Sequence, residues 1–129
     1  MRGAVRACLT GIEATPAGLR GRFHFPPDLS VFAGHFPGLP IVPGVFLIEA
    51  ARLVAERAAG KPLRIAGVDE AKFTAEVGPG ETIEVDLSLA PGPGGWRARA
   101  TVAGTKAGAA RIVLILVEEA APAGPRDAP

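Results

Sequence analysis

Cysteine is almost absent from this chain, and that bounds it first. Cys8 alone cannot form an intrachain disulfide, which fits a reducing cytoplasm. Two histidines and one cysteine, without HxxxH or CxxC spacing, disfavour a protein-held metal. Tyrosine is missing and tryptophan occurs once, leaving few aromatic platforms for stacking bases. A net charge of +1 offers no electrostatic case for nucleic acid or an anionic membrane surface. The longest apolar run, Ile112 to Val117, is far too short to span a bilayer. The opening MRGAVRACLTGIEA lacks the apolar core of a signal peptide, so the expected location is the cytoplasm. Ser30 and Ser88 lie in no GxSxG context, which disfavours a serine hydrolase. The PGPGG stretch at 91–95 is followed by no helix pattern, so it reads as a turn and not as a dinucleotide fingerprint.

What is present is organised around residues 32–52, FAGHFPGLPIVPGVFLIEAAR. Five prolines between Pro26 and Pro43 and the glycines Gly34, Gly38 and Gly44 rule out regular structure there. Bulky Val31, Phe32, Phe36, Leu39, Ile41 and Val42 make it an ordered loop, because they need something to pack on. A helix is expected from Pro43-Gly44 to about Ala59, with Gly60 as its C-terminal cap. Its first half is apolar nearly all round, as in a helix buried on most sides.

Strand patterns flank this unit. Residues 4–13 and 19–25 read as a hairpin around Thr15-Pro16-Ala17-Gly18, with Pro16 setting φ and Gly18 accepting positive φ. Leu19, Phe23 and Phe25 alternate with Arg20, Arg22 and His24, which puts His24 on a solvated face. Four more strands are expected at 63–77 (with a break near Gly67), 82–89, 96–103 and 109–118. The last is continuously apolar, so it is buried on both faces or covered by a partner. Together they predict one α+β domain over 1–119, an antiparallel six-stranded sheet wrapped around one long central helix. The Pro/Ala-rich tail from 120 to 129 is expected to be disordered. One sheet covers only one side of such a helix, so a homodimer is the smallest assembly expected.

His35, between Gly34 and Phe36, and Glu49, inside the helix, stand fourteen positions apart. A neutral imidazole is a usable base near neutral pH. A carboxyl buried in FLIEAA is expected to have its protonated form favoured by desolvation. Such a pair suits proton transfer, and Gly44 at the helix start can aim a backbone N–H at a polarised carbonyl oxygen. A second reading stays open on spacing alone. Glu49, Arg52 and Glu56 fall at i, i+3 and i+7, where they also fit a solvated stripe with an intrahelical ion pair, and a lone loop histidine is commonly structural.

The stretch FAGHFPGLPIVPGVFLIEAA closely resembles the signature of FabA/FabZ-type 3-hydroxyacyl-[acyl-carrier-protein] dehydratases. The likeness continues through Ile65-Ala66-Gly67-Val68-Asp69-Glu70-Ala71-Lys72-Phe73 and the turn Val77-Gly78-Pro79-Gly80-Glu81. It implies a hotdog fold working as a dimer or a trimer of dimers, with no cofactor. His35 would take the α-proton of a 3-hydroxyacyl thioester on acyl-carrier protein or coenzyme A. Glu49, from the other subunit, would protonate the departing hydroxyl. The resemblance also assigns the Gly44 N–H to the thioester carbonyl, the Ile41 carbonyl to orienting the imidazole, and Phe36, Phe46, Leu47 and Leu53 to an acyl tunnel. Three departures stand out. The family's N-terminal segment, with its short helix, has no counterpart; Leu53 replaces a glutamine; and Thr74-Ala75 replace a basic pair. The chain therefore looks more like the stand-alone dehydratases of specialised polyene or lipid pathways. Two rivals share the fold: an acyl thioesterase, and a subunit of a heteromeric hotdog complex.

Overall fold

The computed structural model describes residues 1–34, 41–105 and 108–120. The elements run α1 Arg2–Ala7, β1 Leu9–Thr15, β2 Gly18–His24, α2 Ser30–Gly34, α3 Gly44–Ala59, β3 Leu63–Phe73, β4 Thr82–Gly92, β5 Gly95–Ala103 and β6 Gly108–Glu118. All six strands join one antiparallel sheet in the order β1-β2-β4-β5-β6-β3. The sheet packs on α3 through Phe23, Ile83, Val85, Leu87, Ala98, Ala100, Ile112, Leu114 and Leu116. These are alternate positions of their strands, as the two-residue period requires. The opposite face carries charge, with Arg20 on Asp86 at 2.7 Å and Arg22 on Glu84 at 2.9 Å. His24 lies on that outer face, its Nδ1 3.1 Å from the Thr82 hydroxyl.

Helix α3 starts and stops where its sequence dictates. Pro43 precedes it in extended conformation (φ −60°, ψ 145°), and Gly60 ends it at φ 72°, donating its N–H to the Glu56 carbonyl at 2.8 Å. Nine of its sixteen residues are buried, which makes it a core element. It lies so close to the sheet that a Cβ on Gly21 would stand 2.6 Å from Val54 Cγ2. Just upstream of α3 the chain is pinned by the Val42 N–H, which donates to the Val77 carbonyl at 2.7 Å.

Strand β3 occupies one sheet edge, and its register slips between Ile65 and Gly67 and again between Val68 and Glu70, as the expected break near Gly67 anticipates. It ends at Phe73 and not at 77, because the Thr74 and Ala75 amides both turn onto the Ala109 carbonyl.

Three expectations need correction. Residues 2–7 are helical and not part of the first strand: Val5 and Cys8 are both buried at i, i+3 spacing, and α1 packs on α3. A short N-terminal helix is thus present after all. Within the proline-rich loop, residues 30–34 free of proline close a short helix, entered by the turns Leu29 N–H to Pro26 O and Phe32 N–H to Leu29 O. Gly18 is not among the glycines with positive φ, which are Gly60, Gly80 and Gly94. It is a glycine because a Cβ there would lie 2.1 Å from the Leu87 carbonyl oxygen. Of the tail expected at 120–129, residues 121–129 lie outside the described residues. Among the described residues no helix is long and apolar enough to cross a membrane.

Candidate active site

Helix α3 carries a backbone donor at its start and a buried carboxylate further along. Gly44 is the first helical residue, so its amide belongs to the turn that has no acceptor within the helix. Phe73 reaches over from β3, and a Cβ on Gly44 would meet its ring at 2.8–3.1 Å. Only glycine keeps this contact between helix start and ring. Five residues on, Glu49 is about 7.5 Å further along the axis, and helical side chains lean back toward the N-terminus. Both residues lie in the first half of α3, and the Glu49 carboxylate is held by Arg52, three residues further on.

Glu49 is 4% exposed and Arg52 1%. The Arg52 guanidinium donates from Nε to Glu49 Oε1 at 2.8 Å and from Nη2 to Oε2 at 2.5 Å. Its Nη1 donates to the Leu63 carbonyl at 2.9 Å and stands 2.6 Å from Glu56 Oε2. Glu56 in turn accepts the Leu63 N–H at 2.8 Å. Burial works against the Arg52 charge, and the Glu49 and Glu56 carboxylates outweigh it, so its pKa is raised above the ordinary guanidinium value. A bidentate fork of this kind is the strong form of a carboxylate–arginine pair.

Neither reading of the stripe survives whole. Glu49 is buried, as the acid reading requires, yet it is paired with Arg52, as the stripe reading requires. The expectation of a lone carboxyl governed by desolvation is corrected accordingly. Arg52, Glu56 and Leu63 are the site residues that the sequence reading missed. The available signal was an arginine three positions after Glu49 inside an apolar helix, where a charge persists only with partners.

Phe46, Leu47 and Leu53 are all buried in the core beside Glu49. Ile41 is half-buried immediately before Val42. His35 and Phe36 lie outside the described residues. A depression of about 580 Å³ on the outer sheet face, lined by Arg20, Asp86, Ser88, Arg99, Thr101 and Val113 among others, contains none of the expected residues.

A central helix wrapped by a six-stranded antiparallel sheet defines a hotdog fold. Residues 12–106 match the ApeI-like family, described as ApeI dehydratase, and the chain belongs to that family and is a dehydratase. It is 39% identical over 97 residues to the 3-hydroxyacyl-[acyl-carrier-protein] dehydratase FabZ of Latilactobacillus sakei, covering 67% of this chain and 69% of that protein. Its fold superimposes on the dehydratase heterocomplex ApeI:P from Xenorhabdus doucetiae with a TM-score of 0.73 at 19% identity, over 85% of this chain and 96% of that one. The hexameric thioesterase y2039 from Yersinia pestis shares the fold at a TM-score of 0.59 and 17% identity, over 80% and 87% of the two chains. Fold alone therefore does not separate dehydratase from thioesterase; the family match does.

Proposed function

We propose that this dehydratase removes water from a 3-hydroxyacyl thioester, carried on acyl-carrier protein or coenzyme A, in fatty-acid or related lipid or polyene synthesis in the cytoplasm. The observation that carries the reading is a carboxylate, Glu49, buried within the helix whose start presents the Gly44 amide. A thioester carbonyl and a 3-hydroxyl are separated by two carbons, and a substrate spanning amide and carboxyl engages both. His35 takes a proton from Cα. The C–H electron pair forms the Cα–Cβ double bond, the Cβ–O bond breaks, and the leaving oxygen takes the proton of Glu49 and departs as water. The Gly44 amide holds the negative charge that develops on the thioester oxygen. The Ile41 carbonyl orients the imidazole, and Phe36, Phe46, Leu47 and Leu53 line the acyl path.

The working unit in this reading is a dimer that brings His35 of one copy to Glu49 of the other. Its support is the uncovered edge at β3, where Val45, Val68 and Phe73 are 54%, 48% and 46% exposed. Val68 and Phe73 lie opposite Leu114 and Ala110 of β6, so both face the helix side. Apolar side chains beside an open strand edge suit a second copy.

Incubation with a medium-chain 3-hydroxyacyl thioester, following enoyl absorbance and free thiol together, tests the reading. Enoyl formation without thiol release is expected. Thiol release without enoyl would establish a thioesterase instead. Neither signal from folded protein would mean that a different hotdog subunit completes the site, as the heteromeric alternative holds.

A further inference from the structure

We propose that Arg52 and Glu56 are positioning residues for Glu49: a buried guanidinium shared between two carboxylates, which receives Glu49 each time it gives up its proton. The inference rests on the reading of Glu49 as the acid.

The cluster is fixed from both sides. Two nitrogens of Arg52 hold Glu49, and the third meets both Glu56 and the Leu63 carbonyl at the start of β3. Two carboxylates share one cation, so the fully ionised cluster carries one excess negative charge. A proton entering it relieves that excess. With Glu49 read as the acid, the proton it delivers is held there, on the less exposed of the two carboxylates (4% against 15% for Glu56). Arg52 is then still paired with Glu56, so the buried guanidinium is never orphaned, which would otherwise be severely unfavourable. When Glu49 protonates the leaving hydroxyl, its new carboxylate finds both Arg52 donors in place. The bidentate pair seen here is that end state.

The charges around the cluster do not compete with this assignment. The sheet faces α3 with apolar side chains from β2, β4, β5 and β6. From α1, Arg2 is engaged with Glu119 at 3.0 Å, and Arg6 lies in the last turn of that helix. Glu119 feels Arg52 and Arg64 only through space.

The test uses the full chain with carboxyl-labelled glutamate, and the Glu49 resonance assigned through Glu49→Gln. Glu56→Gln leaves Arg52 to Glu49 alone, so the Glu49 titration midpoint falls, by about one pH unit. Arg52→Gln removes the cation, so the midpoint rises by about as much, and Arg52→Lys brings it back toward wild type. The alkaline limb of kcat/KM, set by loss of the acid's proton, moves in the same two directions. A midpoint that stays fixed, or moves the same way in both variants, overturns the proposal. Should Arg52→Gln fail to fold, Glu56→Gln decides alone, since its amide still accepts the Leu63 N–H: a fall sustains the proposal and anything else ends it. The resonance needs no turnover, so absence of dehydration by the wild type would refute the function separately from the cluster.

Discussion

Gly21→Ala tests how α3 is seated. The added Cβ would stand 2.6 Å from Val54 Cγ2, 3.3 Å from Phe23 and 3.4 Å from Ile12. Val54 and Phe23 are both fully buried, so neither side chain can swing into solvent. Overpacking a core of this kind costs about 1–3 kcal/mol. Replacing a strand glycine returns about 0.5–1 kcal/mol, and with an approach as close as 2.6 Å the net loss lies toward the upper part of the resulting range of about 0–2.5 kcal/mol. Val54→Ala alone removes two buried methyl groups at about 0.8 kcal/mol each, before any cavity term. In the double variant the new methyl of residue 21 occupies the space that Val54 vacates. The two losses then combine to less than their sum, by about 1 kcal/mol or more, as contacting residues do. Urea unfolding at one fixed protein concentration reads this directly, with a midpoint drop of about 1 M for Gly21→Ala at an ordinary slope. Fixed concentration matters because association would otherwise shift the midpoint by mass action. Strict additivity, or a Gly21→Ala protein as stable as wild type, would refute the close approach of helix and sheet.

Other outcomes follow from the same geometry. Gly44→Ala keeps its backbone N–H and adds a methyl that meets only the half-exposed Phe73 ring, so unfolding changes by less than about 1 kcal/mol, while the methyl crowds the helix start and turnover drops. A kcat/KM equal to wild type would show that no substrate group docks against the Gly44 Cα. Burial pushes the Cys8 thiol pKa up, so native protein reacts slowly with thiol reagents at neutral pH and rapidly once unfolded. Above about pH 8.5 the unfolded chain releases this proton first, so stability falls as pH rises through that range. The Cys8→Ala protein should lack that component, and an unchanged alkaline slope in its unfolding profile would contradict it.

The parts of the fold legible in the sequence are those with strong periodicity or punctuation. The alternation of Ile83, Val85 and Leu87 placed β4, and Gly60 placed the end of α3, because each depends on local geometry. Helix α1 escaped because in six residues the burial of Val5 and Cys8 looks the same for a helix or an irregular strand. Gly18 was misread because its need for a bare Cα comes from Leu87, a strand away. The likeness of residues 32–52 to the dehydratase signature singles out Glu49 and Gly44 as candidates. It did not reveal that Arg52 is buried, since that depends on the Leu63 backbone arriving from β3 to complete its hydrogen bonds.

The central claim is that one active site takes His35 from one copy and Glu49 from another. Mixing the His35→Ala and Glu49→Gln proteins through a reversible dissociation step tests it most directly, with enoyl thioester formation as the readout. Each variant alone should be slowed by about 10²–10⁴. Random mixing makes about half the dimers hybrids with one intact site of two, restoring about a quarter of wild-type turnover. No recovery on mixing, from variants shown to exchange subunits, would contradict the shared site.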